Sequence, residues 1–134
     1  MKNLILLIAS LLLFKVSTAQ TAFPPQYLSL VQKADSLYDA KAYKESAFTY
    51  SEAFKGNAWK AKTNDRYNAA CSWSVAGYAD SAFSNLMLIA NDGSYINYAH
   101  IIIDSDLIPL HNSSRWLVLL KLVKANEDKV EATL

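Results

Sequence analysis

One cysteine, three glycines, three prolines and two histidines among 134 residues remove several classes of protein before any pattern is sought. Cys71 has no second cysteine to pair with, so no internal disulfide staples the chain and its core is held by packing. Two histidines and one thiol are also few for a zinc site of the usual composition. A hydrolytic triad has no fixed place either: there is no Gly-x-Ser-x-Gly elbow and no nucleophile signature around Cys71, which reads as a packed helix residue. Asp104 and Asp106 have metal-like spacing, but the glycine and distal glutamate of a calcium loop are missing, so they take turn and cap roles. Charge of neither sign dominates, with 13 basic and 12 acidic residues. The surface therefore has no global attraction for nucleic acid or anionic lipid. Trp59-Lys60-Ala61-Lys62 does not change this, because two lysines fall short of the roughly six to ten phosphate contacts that usable binding needs.

Apolar residues, by contrast, are abundant at 52%, and part of that excess is N-terminal. Lys2 precedes an apolar run from Leu4 to Phe14, and Ser17-Thr18-Ala19 puts small residues where a signal peptidase reads them. Residues 1–19 are expected to be a secretory signal peptide. The run is shorter than the ~20 apolar residues of a membrane span, and Lys15 interrupts it. Cleavage after Ala19 makes Gln20 the mature N-terminus, places the protein in the periplasm or outside the cell, and leaves no integral membrane segment. It removes Lys2 and Lys15, leaving 11 basic and 12 acidic residues, a net charge of −1. About 115 residues suffice for one compact helical domain.

After an extended leader over residues 20–26, which contains Pro24-Pro25, helical periodicity governs the chain. Tyr27, Leu30, Val31, Ala34, Leu37 and Tyr38 recur at steps of three and four over Tyr27–Ala40. Tyr43, Ala47, Tyr50, Ala53 and Phe54 give a second helix, stopped by Gly56-Asn57. Asn64 or Asp65 is the expected N-cap of a third helix that buries Tyr67, Ala70 and Trp73 and ends in a left-handed turn at Gly77. A fourth helix runs from about Ala79 to Ala90, with Ala82, Phe83, Leu86 and Ile89 on one face. Tyr95 to Ile103 is β-prone, yet no second strand is present to pair with it, so a short helix over Tyr98–Ile103 is expected. Pro109 limits the next stretch to a turn or two. Asn112-Ser113-Ser114 then caps a last helix carrying Trp116, Leu119, Leu120 and Val123, with a charged tail from Lys124.

Shifting the chain by 36 residues brings Ala34 onto Ala70, Leu37 onto Trp73, Ser46 onto Ala82, Tyr50 onto Leu86 and Ala53 onto Ile89. Small falls on small and large on large at every step but the last. This pattern, with Asn68-Ala69-Ala70-Cys71, Ala76-Gly77 and Ala82-Phe83, resembles the tetratricopeptide repeat (TPR) family, whose unit is about 34 residues. Lys33 stands where the family usually has an apolar residue, and no proline closes either repeat. The stretch from Gly93 and Tyr95 through Asp104-Ser105-Asp106-Leu107, Leu110-His111 and Arg115-Trp116 looks like the end group that follows the last TPR in secreted proteins of Bacteroidetes-type bacteria. The expected fold is all-α: a domain over residues 27–134 in which two stacked TPR-like antiparallel hairpins, residues 27–56 and 64–91, are capped by an end group over residues 92–134. Hairpins of this kind cannot bury their apolar faces alone and so stack on one another.

The resemblance implies a function as well as a fold. In the family, the first helix of each hairpin lines a concave groove that holds a peptide or partner protein. Carried over by position, that groove side comprises Val31, Asp35 and Tyr38 in the first hairpin, and Asn64, Tyr67, Asn68, Cys71 and Ser74 in the second. The basic residues of a carboxylate clamp are missing. The expectation is an exported, non-catalytic interaction module or scaffold that has no cofactor or metal and binds no nucleic acid. Two other readings stay open: a small hydrolase or metal-dependent enzyme on a helical scaffold, which activity or metal content would reveal, and a structural subunit of an envelope complex, which a size measurement would reveal.

Overall fold

The computed structural model describes residues 22–134. The signal segment and Gln20 lie outside that range. Seven helical segments follow one another, and no strand occurs among the described residues: α1 (Pro25–Asp39), α2 (Tyr43–Gly56), α3 (Thr63–Val75), α4 (Ala79–Asn91), the short α5 (Tyr98–Ile101), a 3-10 segment (Ser105–Leu110) and α6 (Ser114–Glu131). α1 packs on α2, α2 on α3 and α3 on α4. The chain then folds back, with the 3-10 segment against α3 and α6 against α4 and α5.

Local chemistry accounts for the boundaries. α1 begins at Pro25, where the fixed φ suits the first turn and the missing N–H is no loss. It ends with Lys41 at φ 61°, the Lys41 N–H donating to the Tyr38 carbonyl (2.8 Å) and the Ala42 N–H to the Leu37 carbonyl (2.9 Å). The end of α3 repeats this arrangement 36 residues later. Gly77 has φ 87°, its N–H donates to the Ser74 carbonyl (3.0 Å), and the Tyr78 N–H donates to the Trp73 carbonyl (2.8 Å). Both are Schellman closures, which satisfy carbonyls that a helix end leaves unpaired.

Most residues of the apolar faces expected from the periodicity are buried in two clusters, while Leu30, Val31, Leu37, Tyr38 and Tyr43 are half-buried. One holds Tyr27, Ala34, Tyr50, Ala53, Phe54 and Ala69 between α1, α2 and α3. The other runs from Ala47 through Ala70, Trp73, Ala82, Phe83, Leu86 and Ile89 to Ile101, Leu107, Trp116, Leu119 and Val123. Full burial of a side chain such as Leu86 or Phe83 stabilises by about 1.5–3 kcal/mol. Ala34, Ala70 and Ala82 are completely buried, as small residues at helix crossings must be. Ser46, the counterpart of Ala82, is equally buried, and its hydroxyl is satisfied by the Ala34 carbonyl (2.8 Å) and by Ser72 Oγ (2.9 Å).

Several boundaries differ from the sequence expectation. Gly56 does not supply the left-handed turn after α2; Ala58 and Trp59 do, at φ 53° and 61°, and the Trp59 N–H returns to the Phe54 carbonyl at 2.7 Å. Neither Asn64 nor Asp65 caps α3, which starts at Thr63 with no side-chain cap. Asp65 instead accepts from the Tyr27 hydroxyl at 2.5 Å, tying α3 to α1. The loop between the hairpins exposes Trp59 (57%) as expected, but Ala61 in the same loop is half-buried against the first cluster. No strand forms over Tyr95–Ile103, where helix is limited to Tyr98–Ile101, capped by Asn97. The charged stretch from Lys124 continues as helix to Glu131. Asn126 is the reason it docks: its buried amide donates to the carbonyls of Ala90 (2.8 Å) and Tyr95 (3.2 Å), holding α6 to the end of α4.

Candidate functional site

The first helices of the two hairpins, α1 and α3, face one pocket of about 280 Å³. Asp35, Tyr38 and Asp39 reach it from α1, Tyr50 from α2, Tyr67, Asn68 and Cys71 from α3, and His100, Asp104 and Asp106 from the end group. Helical spacing explains the set. Asp35, Tyr38 and Asp39 lie three and four residues apart on one face of α1, as do Tyr67, Asn68 and Cys71 on α3.

Of the eight residues singled out from sequence, Asp35, Tyr38, Tyr67, Asn68 and Cys71 line this pocket. Asn64 lies outside it, in a neighbouring depression shared with Tyr67, Asn68, Ser94, Tyr95 and Asn97. Val31 packs half-buried against the first core cluster. Ser74, 1% exposed, is turned inward and donates to the Asp106 carbonyl at 2.6 Å. Tyr67 and Cys71 line the pocket yet are each only 5% exposed. Of the five pocket-lining candidates, Asn68, Asp35 and half-buried Tyr38 therefore have the most accessible surface.

The end group also enters this face, which sequence spacing did not foretell. Asp104 Oδ2 accepts from the Tyr67 hydroxyl (2.8 Å) and the Cys71 thiol (3.7 Å), and lies 3.5 Å from His100 Nε2. Asp104 Oδ1 accepts from the Asp106 N–H (3.0 Å), the cap role expected of it. Asp106 Oδ2 accepts from the Tyr38 hydroxyl, and Tyr50 donates to Asp35 in the same way. Cys71, Asp104 and Asp106 each place a ligand-type atom within 4.8 Å of the other two. The contacts of Tyr38, Tyr67 and Cys71 with the two aspartates join positions more than 30 residues apart, so only the folded chain assembles them.

Four carboxylates line the pocket and no lysine or arginine does. Among the described residues no lysine or arginine forms an ion pair with any of the four; the one cationic partner is His100, if protonated. Burial raises the Tyr67 and Cys71 pKa values, and the hydrogen bond to Asp104 raises Tyr67 further while the charges on Asp104 and Asp106 raise Cys71. Burial also raises Tyr38 and Tyr50, with the carboxylates that accept from them adding to it. These side chains are neutral donors at physiological pH, and a thiol held protonated is a poor nucleophile.

Behind Tyr67, the ring of Tyr95 stacks at 4.8 Å and 11°. Its hydroxyl is buried and forms no hydrogen bond of good geometry; burial pushes its pKa up to about 12, against a smaller lowering by the neighbouring Tyr67 hydroxyl.

No family model, curated protein or solved structure matches the chain.

Proposed function

We propose that the protein is a non-catalytic interaction module, built as two TPR-like hairpins with a terminal cap, that binds a peptide or a segment of a partner protein on the face shared by α1 and α3. The observation that carries this reading is the pocket itself. It lies on the first helices of both hairpins and is lined by five of the eight residues the TPR resemblance implies. Two features support the architecture behind it: the equivalent closures at Lys41 and Gly77, and the buried small residues Ala34, Ala70 and Ala82.

The pocket offers a partner hydrogen-bonding groups with aromatic walls. Asn68 is exposed beside Tyr38 and Tyr67, where its amide can both donate to and accept from a peptide backbone. Its negative lining disfavours a free C-terminal carboxylate as ligand, in keeping with the missing basic clamp. Export by the N-terminal signal belongs to the same proposal and places the partner in the periplasm or outside the cell. An intact mass beginning at Gln20 supports it, and one retaining residues 1–19 contradicts it.

Tyr38→Ala and Asn68→Ala test the binding face. Each variant, checked for parental circular dichroism and melting temperature, should weaken capture of the physiological partner from an envelope fraction. Loss of a hot spot costs about 2 kcal/mol or more, near a thirtyfold change in affinity. Tyr67→Ala is a poorer probe, because Tyr67 also anchors Asp104 and stacks on Tyr95. Unchanged capture by both folded variants would move the site off this face.

A specific observation favours one second reading, a subunit whose helices continue into a partner. Ile103, Ile108, Leu117 and Val118 are exposed large apolar residues of the end group. Self-association or a stable complex lost on Leu117→Glu, with Tyr38→Ala silent, would favour it.

A further inference from the structure

Cys71, Asp104, Asp106 and His100 converge from α3, the 3-10 segment and α5 in a way that the partner reading does not use. We propose that they form a site for a borderline-soft divalent cation of the zinc class. The Cys71 thiolate, one oxygen from each aspartate and the His100 imidazole would be the ligands.

The distances carry this inference. A tetrahedral zinc ion bound at about 2.3 Å to sulfur and about 2.0–2.2 Å to oxygen sets those two atoms about 3.5–3.7 Å apart, and sets a nitrogen ligand about 3.3 Å from the same oxygen. Asp104 Oδ2 lies 3.7 Å from Cys71 Sγ and 3.5 Å from His100 Nε2. Two edges of the tetrahedron are thus already near their bonded lengths and share one oxygen. Asp106 supplies a carboxylate oxygen within 4.8 Å of both Cys71 Sγ and the Asp104 ligand atom. His100 stands outside this group of three, close to Asp104 alone, and its half-exposed ring must swing in from the pocket mouth to reach the ion. All four residues line the same pocket, which gives the ion a path in.

A second observation points to an occupant. Tyr95, 7% exposed, stacks on the very tyrosine that donates to Asp104, and its hydroxyl is the one buried side-chain polar group without a partner among the described residues. Buried hydroxyls are normally paired, and the Tyr67 hydroxyl that lies nearest to pair with this one is held by Asp104. A cation on Asp104 Oδ2 takes the position the Tyr67 proton now holds, and the released Tyr67 hydroxyl can turn to that of Tyr95. On loading, the metal–sulfur bond forms and the Cys71 proton passes to solvent, leaving a thiolate, two carboxylates and a neutral imidazole around the ion. Thiolate ligation selects zinc-class metals over magnesium and calcium, which prefer all-oxygen shells.

The test uses the purified protein after chelator treatment, titrated with Co²⁺ as a spectroscopic stand-in for Zn²⁺. One equivalent should produce a near-ultraviolet sulfur-to-cobalt charge-transfer band with intense tetrahedral visible bands, and Zn²⁺ should displace both. Zn²⁺ should also raise the melting temperature, since the site exists only in the folded chain. Cys71→Ser should abolish the charge-transfer band. Asp104 also anchors the fold, so His100→Ala, at an exposed position, is the variant that keeps the structure. It should weaken Co²⁺ affinity by more than the roughly 10–100-fold that loss of an outer-shell partner costs. Absence of the charge-transfer band in the parent protein would overturn the site. So would a band of parental affinity in both His100→Ala and Asp106→Asn, which would reduce it to metal on a lone thiol.

Discussion

Lys41 and Gly77, 36 residues apart, occupy the same left-handed position at the turn of successive hairpins, with φ 61° and 87°. Only the second is glycine. A side chain in this region costs roughly 1–2 kcal/mol, and glycine gives part of that back through its freedom in the unfolded chain. Lys41→Gly is expected to stabilise by about 0.5–1 kcal/mol. Gly77→Ala is expected to destabilise by about 1–2 kcal/mol, even though an added Cβ would meet no atom within 4 Å. Chemical denaturation of the two variants checks both signs. A loss on Lys41→Gly would show that the lysine makes a compensating contact.

The crossing at Ala82 supports a second prediction. Ala82 is completely buried in the cluster that also holds Ala47, Ala70 and Phe83, whereas Ala79, one turn earlier on α4, is exposed. Ala82→Leu should overpack the crossing and cost about 1–3 kcal/mol, and Ala79→Leu should change stability by less than about 0.5 kcal/mol. Equal melting shifts would mean that the hairpin does not close at Ala82.

Alkaline pH should unfold the protein cooperatively. Tyr27, Tyr38, Tyr50, Tyr67 and Tyr95, five of the eight tyrosines, have pKa values raised in the fold, in each case chiefly by burial. A raised folded value stabilises fully below the unfolded pKa near 10, and that contribution falls as pH rises above it, because the unfolded chain releases the protons first. Helix content and tyrosinate absorbance should therefore change together above about pH 10. Ionisation of all eight tyrosines with helix content intact would contradict the burial of their hydroxyls.

Much of the helical architecture was legible because periodicity and small residues speak directly about packing. The faces of α1 to α4, the left-handed Gly77 and the buried Ala34, Ala70 and Ala82 all follow from local spacing. What escaped the sequence has physical causes. Ala58 and Trp59 hold the turn expected of Gly56, because the Trp59 N–H finds the Phe54 carbonyl and that gain outweighs the strain of a side chain at positive φ. Asp65 reads as a cap by type, yet the Tyr27 hydroxyl takes its carboxylate. Asn126 sits in a stretch that reads as a solvated tail and is instead a buried clamp on Ala90 and Tyr95. At the site, the TPR resemblance, carried over by position, pointed to five pocket-lining side chains on α1 and α3. They gave no sign that Asp104 and Asp106 would enter the same face, because that depends on how the end group folds back.

Site-specific photo-crosslinking tests the partner-binding account most directly. A photoreactive residue replacing Asn68, exposed at the pocket, is compared with one replacing Leu117, exposed on α6 outside it. The account predicts a discrete covalent adduct with an envelope protein or peptide from position 68, lost when Tyr38→Ala is added, and none from position 117. An adduct from position 117 with none from position 68 would contradict it and place binding on the end group.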